Sequence, residues 1–184
     1  VLFTSNLFLF IFLPTFLGIY YIIPSAARSF LILVVSYVFY GWWRPDFAFL
    51  LGGVTAGTYF LTTLMQSEKF VDNRYRVLCI GVALNLCALG YFKYFNFGVD
   101  SLNSLLILTG VQPSDYTRVI LPIGLSFYIF QAISYMVDVY RGDAPITKNI
   151  FDFAAFISFF PQLVAGPVLR YQPLAEQFHN RKHS

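Results

Sequence analysis

Long apolar runs separated by short charged islands constrain this chain more than any other feature. The charged side chains gather in stretches such as QSEKFVDNRYR (66–76) and RGDAPITKN (141–149). The runs between them reach the roughly 17–25 residues that a helix needs to cross a bilayer. Charged residues make up only 11% of the chain, less than half of the share of about a quarter that is typical of soluble domains. The sequence therefore predicts an all-α, multipass transmembrane helical bundle.

Six membrane-embedded segments are predicted, all belonging to one domain. They cover about residues 2–23, 28–43, 46–65, 77–97, 120–140 and 150–169. Apolar residues at helical spacing in GVDSLNSLLILTG (98–110) predict a separate amphipathic helix in the membrane interface, between the fourth and fifth segments. Aromatic residues at segment ends, as in YGWW (40–43), are interpreted as a belt in the headgroup layer.

The basic residues of the loops predict an orientation in the lipid bilayer. With the N-terminus outside, the inside loops would carry Arg28, Lys69, Arg74, Arg76, Arg141 and Lys148, and the outside loops Arg44, Lys93 and Arg118. Because cytoplasmic loops are enriched in Lys and Arg, the N-terminus is predicted to lie outside. The net charge of +3 is small and scattered, and it does not indicate a nucleic-acid partner.

Polar residues inside a predicted span are costly and therefore informative. In the fifth segment, one stripe at helical spacing consists of Gly124, Gln131, Ser134, Asp138 and Arg141. The opposite, apolar side is assigned to Phe127, Ile129, Ile133, Met136 and Val137. Two interpretations stay open. Either the stripe makes hydrogen bonds between helices, with Asp138 paired to Arg141, or it lines a substrate passage.

The sixth segment contains a helix break within FFPQLVAGPVLRY (159–171). Pro161 has no N–H to donate to the carbonyl of Ile157, so a helix must kink or stop there. Gly166-Pro167 would end any helix that remains, because a residue before proline avoids the α region. Broken backbone at membrane depth survives only inside protein or along a water-filled cavity. We therefore expect a kinked or re-entrant element, with Gln162 beside the kink and Arg170 at its mouth.

Sequence motifs of common soluble enzymes are missing. The chain contains no G-x-S-x-G, P-loop, H-E-x-x-H or dinucleotide-binding pattern. His179 and His183 are four residues apart, but no nearby cysteine or carboxylate cluster completes a metal site. We expect neither a metal nor a bound cofactor.

Five stretches in the same order carry a family resemblance. They are FTSNLFLFIFLP (3–14), SYVFYGWWRPDF (36–47), GYFKYFNFGVDS (90–101), LPIGLSFYIFQAISYMVDVYRGD (121–143) and FISFFPQLVAGPVLRYQPLAEQF (156–178). Together they resemble the membrane-bound O-acyltransferases. The similar branch includes proteins of alginate O-acetylation and of teichoic-acid D-alanylation.

The resemblance implies a bacterial inner-membrane enzyme that uses a cytoplasmic acyl thioester, on coenzyme A or a carrier protein. The acyl group would pass through a membrane funnel to an exported polysaccharide such as alginate, or to a periplasmic acetyltransferase partner. The family's catalytic histidine lies in a later segment, so no catalytic residue is assigned here. We expect the chain to be the N-terminal portion, to need the missing C-terminal half, and to be inactive alone. The expected passage-lining residues are Gln131, Ser134, Asp138, Gln162 and Arg170.

Two other classes stay open. Broken helices and a polar intramembrane stripe also occur in transporters and channels, although no inverted repeat is visible in this sequence. A non-catalytic membrane scaffold that only recruits partners is the third possibility.

Overall fold

The computed structural model describes residues 6, 8–147 and 149–159, and this part of the chain is helical throughout, without a β-strand. A π-helical turn at Phe8–Phe12 precedes the α-helices. These are α1 (Leu13–Ile22), α2 (Ser25–Trp43), α3 (Pro45–Gln66), α4 (Arg74–Leu108), α5 (Leu125–Arg141) and α6 (Ile150–Ser158). A 3-10 turn at Glu68–Asn73 connects α3 to α4. The prediction of an all-α fold is confirmed for the described residues.

The third helix holds the described part of the fold together, because it packs against α2, α4, α5 and α6. The α2 and α6 helices pack on one another, as do α4 and α5. By length and composition, α3 and α4 could each cross a membrane, and shorter apolar helices occur at Phe10–Ile22 and Ala27–Trp42. The structure thus gives two candidate spans within the residues that it describes.

Polar residues lie inside this fold and large apolar ones lie outside. On α3 the buried stripe includes Thr55, Thr58 and Thr62, whereas Phe49 and Phe60 on the outer face are 79% and 62% exposed. The Thr55 hydroxyl donates to the carbonyl of Leu51 at 2.7 Å, and that of Thr62 donates to Thr58 at 2.8 Å. Such back-bonding satisfies a hydroxyl inside its own helix. An apolar exterior around buried polar groups suits a lipid environment.

The fourth helix differs from its predicted form. The sequence predicts a span over 77–97 and a separate interfacial helix over 98–110, but the structure has one 35-residue helix, Arg74–Leu108. The prediction of two helices is wrong. At 1.5 Å per residue, α4 is about 52 Å long, well beyond the 30 Å or so of bilayer hydrocarbon. One end of α4 therefore extends past the apolar layer if the helix crosses it.

The fifth helix begins later than the predicted residue 120. Residues 111–120, here called the return segment, run from the end of α4 without regular structure, and α5 starts only at Leu125. Gly124 has a left-handed φ of 75°, and the Tyr40 hydroxyl donates to the carbonyl of Ile123 at 2.6 Å. The left-handed conformation of Gly124 and the hydrogen bond to Ile123 keep the residues before Leu125 from joining the helix. They also correct the assignment of Tyr40 to an aromatic belt, because its side chain is buried.

Candidate functional site

The predicted polar stripe lies on α5. This helix packs against α3, α4 and α6, and its buried face includes Ile129, Ala132 and Met136. The α4 helix packs against α5 at Gly81, where a Cβ atom would overlap the end of the Met136 side chain. Ile129 and Met136, predicted to face lipid or apolar neighbours, therefore pack against protein.

Gln131 connects α5 to the end of α6. Its side chain is buried, and its Nε2 donates to the carbonyl of Phe156 at 3.4 Å. Carbonyls in the last turn of a helix have no partner within the helix. Gln131 therefore supplies a donor where α6 ends at Ser158, directly before the stretch in which the sequence predicts a break.

Ser134 and Asp138 lie on the same helix but are only half-buried. The backbone carbonyl of Asp138 accepts from the N–H groups of Asp143 and Ala144, at 2.9 and 3.3 Å, and these bonds close the C-terminus of α5. The ion pairs among the described residues are Arg44–Asp46 and Arg118–Asp100, so the predicted pairing of Asp138 with Arg141 is wrong. Arg141 is exposed at the last position of α5, directly before the chain turns at Gly142.

The structure brings together three of the five predicted passage residues, Gln131, Ser134 and Asp138, on one helix. The remaining two, Gln162 and Arg170, lie outside the described residues. The predicted kinked element of FFPQLVAGPVLRY lies outside them as well, except for Phe159. The same holds for His179 and His183.

Two buried tyrosines on α5 were missed by the sequence analysis. Tyr128 and Tyr135 flank Gln131, and all three side chains are buried. The backbone N–H of Thr147 donates to the Tyr135 hydroxyl at 3.0 Å, and the two hydroxyl groups are 3.2 Å apart. The two tyrosines lie three residues before and four residues after Gln131, a spacing that places all three on one helix face. That spacing is a usable signal of burial, whereas the sequence analysis assigns tyrosines only to an interfacial belt.

Two hydroxyl groups, one on α5 and one on α6, have no hydrogen-bond partner within the described part of the chain. They are those of Tyr128 on α5 and Ser158 at the end of α6, and both side chains are buried. A buried hydroxyl without a hydrogen bond is costly, so such groups mark places where a further polar group is needed. The arrangement offers phenol, carboxamide and alcohol groups for hydrogen bonding inside an apolar shell.

The described residues offer polar contacts rather than a reactive centre. No group of three His, Cys, Asp or Glu side chains among them could hold a metal ion. Asp138 is the carboxylate of the predicted stripe, and no histidine lies in the described ranges. The chemistry that this part can support is the binding and positioning of a polar group, through donors such as the Gln131 amide.

Comparison with known proteins gives matches that extend over the whole of this chain. The chain is 53% identical to the probable alginate O-acetylase AlgI of Pseudomonas aeruginosa and 51% identical to that of Azotobacter vinelandii, covering 36% and 37% of those proteins. It is 30% identical to the peptidoglycan O-acetyltransferase of Helicobacter pylori, of which it covers 40%. The chain thus spans little more than a third of the length of the curated relatives that it matches. No family model and no solved structure matches it.

The identity extends over every helix described above and over all five motifs of the predicted resemblance. The relatives matched at about half identity are named for alginate O-acetylation, and the match falls on an N-terminal part of them. The resemblance drawn from the motifs is confirmed. Over its whole length, the chain is similar to an N-terminal part of membrane-bound O-acyltransferases.

Proposed function

We propose that the chain is part of a bacterial membrane O-acetyltransferase. The whole enzyme moves an acetyl group from a cytoplasmic thioester donor across the membrane toward an exported polysaccharide such as alginate. The observation that carries this proposal is the 51–53% identity, over the entire chain, with relatives named probable alginate O-acetylase. The helical fold with buried polar and exposed apolar residues supports a membrane location.

In the membrane, the chain forms part of a multipass bundle with a kinked element at FFPQLVAGPVLRY. It lies in the inner membrane with its N-terminus outside. Lys69, Arg74 and Arg76 then fall on the cytoplasmic side, where basic loop residues accumulate. In this orientation α4 runs outward, and the return segment lies at the outer end. The apolar surfaces of α3 and α4 support a membrane location.

The stripe on α5 helps to shape the passage of the acyl donor. Gln131 and Ser134 provide hydrogen-bond donors that can hold a thioester carbonyl, and Asp138 lies further along the same helix. Gln162 and Arg170 complete the passage from the kinked element. The support is the position of Gln131 and its contact with the end of α6, which precedes that element.

The donor is a substrate, acetyl-coenzyme A or an acylated carrier, rather than a resident cofactor. The partners are the remainder of the full-length protein, the bilayer, the polysaccharide and a periplasmic acetyltransferase. The name of the Helicobacter pylori relative supports a second acceptor, peptidoglycan, at the lower identity of 30%.

A chimera tests the proposed function. The matched N-terminal part of the Pseudomonas aeruginosa relative is replaced by this chain, and the chimera is expressed in an alginate-producing strain lacking that relative. The acetyl content of purified alginate is then measured by NMR. We expect acetylation to return with the chimera and not with the chain expressed alone.

Two controls separate failure of function from failure of assembly. The chimera is quantified in the membrane fraction, and peptidoglycan acetylation is measured in the same cells. A chimera that inserts at the normal level yet acetylates neither polymer would contradict the proposal. That result would favour a transporter or channel subunit, or a scaffold.

A further inference from the structure

An apolar groove of about 500 Å³ lies between α3 and α4. The groove is separate from the polar stripe on α5. It is formed by the two helices that are long enough to cross a membrane. We call it the α3–α4 groove. Its lining consists of Phe49, Leu50, Gly53, Val54, Gly57, Thr58, Leu61, Leu84 and Asn85.

The α3 wall of the groove carries a small-residue motif. Gly53 and Gly57 in GVTAG (53–57) are four residues apart, so they lie on one face of the helix. Both are exposed, and a Cβ atom at either position would meet no atom within 4 Å. In membranes, glycines at this spacing let the backbone of a second helix approach closely. The described helices do not use this face.

Two buried polar atoms in the groove lack a partner among the described residues. They are Oγ1 of Thr58, which is 1% exposed, and Oδ1 of Asn85, which is 6% exposed. The amide of Asn85 uses its Nδ2 to donate to the carbonyl of Gly81 at 2.9 Å, which leaves its oxygen free to accept. Thr55 and Thr62 bond to their own helix, so Thr58 is the exception on this stripe.

These atoms lie far from either end of their helices. Thr58 is roughly 20 Å along α3 and Asn85 roughly 17 Å along α4, at 1.5 Å per residue. In a hydrocarbon layer of about 30 Å, both are near the middle, where no bulk water can satisfy them. The Asn85 oxygen accepts only, so its partner must donate a hydrogen. A lipid acyl chain has no donor, whereas a helix with a hydroxyl, amide or indole side chain has one.

We propose that the α3–α4 groove is the docking site of another transmembrane helix of the full-length protein. The docked helix packs against Gly53 and Gly57 and donates a hydrogen bond to Asn85. Relatives are long enough to supply it, since the chain covers only 36–37% of those from Pseudomonas aeruginosa and Azotobacter vinelandii. The proposal rests on membrane embedding and holds whichever acceptor the enzyme uses.

The sign of a stability change tests whether the groove is occupied. Gly57→Leu is made in the full-length protein, and its Tm is measured in detergent. Leucine is a better helix former than glycine, and its Cβ atom would meet no described atom within 4 Å. The Tm should therefore rise or stay constant if the groove faces lipid, but fall by several degrees if a helix is docked there. Gly98→Leu, at a position on α4 with equally open space, should not lower the Tm.

Disulfide cross-linking identifies the occupant. Cys79 and Cys87 are free thiols and are first replaced by serine. Gly57→Cys is then combined with single cysteines along the apolar segments downstream of the matched region, and oxidised in membranes. Cross-links within one chain at a helical spacing are expected. A cross-linked dimer alone, indicating a second copy, or no cross-link together with an unchanged Gly57→Leu Tm, indicating lipid, would each overturn the proposal.

Discussion

The carboxamide of Asn96 on α4 makes two hydrogen bonds to one residue of the return segment, Val119. Its Nδ2 donates to the Val119 carbonyl at 2.7 Å, and its Oδ1 accepts from the Val119 N–H at 2.9 Å. Asn103 repeats the arrangement with Ser114, at 3.0 and 2.9 Å. The side chains of α4 thus replace the backbone partner that an extended chain would find in a sheet, and they hold the return segment along the helix.

Removing the first of these contacts should release the return segment. Asn96→Leu loses two hydrogen bonds of roughly 1 kcal/mol each, so trypsin cleavage after Arg118 should become about thirtyfold faster in the full-length protein. Lys93→Leu is the control, because Lys93 is exposed on the same helix and lies over Tyr94. Equal cleavage rates in the two variants would show that the Asn96 contacts do not hold the segment.

Alkaline pH should also loosen the return segment. The Tyr116 hydroxyl donates to Oδ1 of Asp100 at 2.8 Å, and this bond raises the pKa of Tyr116 above its ordinary value. Because the pKa of Tyr116 is higher in the folded protein than in the unfolded chain, the bond contributes its full stabilisation below about pH 10, the ordinary pKa of a tyrosine. The contribution is lost as the pH rises through the folded value, when phenolate and carboxylate repel.

A nitroxide attached at Ser114→Cys, with Cys79 and Cys87 replaced by serine, reports this change through its EPR mobility. The mobility should increase only above about pH 10. Tyr116→Phe has no hydroxyl to ionise and should show no such transition. An identical alkaline transition in that variant would assign the change to another group.

The close approach of α4 and α5 predicts a coupling between Gly81 and Met136. A methyl group at Gly81 would overlap the end of the buried Met136 side chain, so Gly81→Ala should destabilise by about 1–3 kcal/mol. Combining it with Met136→Ala should cost less than the sum of the two single changes. Gly90→Ala, where the added atom meets nothing within 4 Å, is the control. Strict additivity in thermal unfolding would argue against this contact.

The buried tyrosine of α5 should matter for stability. Tyr135→Phe removes the buried hydroxyl that accepts from the Thr147 N–H, at a cost of about 1–3 kcal/mol. The Tm of the full-length protein should fall, whereas Tyr140→Phe on the exposed side of the same helix should leave it unchanged. Equal Tm values for both variants would mean that another group satisfies Thr147.

The passage proposal predicts a loss of activity without a loss of protein. Asp138→Ala and Gln162→Ala in the full-length enzyme should lower acetyl transfer to polysaccharide at normal membrane levels. Gln131→Ala should lower it too, and in addition weaken the contact with the end of α6. Tyr140→Phe serves as the matched control on α5. Normal transfer by both Asp138→Ala and Gln162→Ala would end the passage proposal.

Local signals predicted some helices closely. The segment predicted at 46–65 corresponds to α3, Pro45–Gln66. Both of its ends are marked in the sequence, because a proline stands at its first position and a polar stretch follows its last residue. The sequence predicts α4 in two pieces because the stretch 98–110, which contains Asp100 and Asn103, is too short and too polar to span a membrane. Their partners lie in the return segment, and pairing at this distance along the chain has no local signature.

The candidate site was predicted in part for a similar reason. Helical spacing correctly placed Gln131, Ser134 and Asp138 on one helix. It could not show that Gln131 contacts a backbone carbonyl of α6, since any residue type supplies a carbonyl. It also could not distinguish the buried Tyr128 and Tyr135 from interfacial tyrosines, because a phenol suits both environments.

The unbroken length of α4 couples the membrane interior to the return segment as a rigid rod. A helix about 52 Å long that pivots by 10° at one end moves its other end by roughly 9 Å. The residues that hold the return segment occupy the far third of this rod, while Gly81 and the α5 contact lie near its start. A small adjustment in packing around Met136 would therefore be amplified into a large displacement of the return segment, without any hinge.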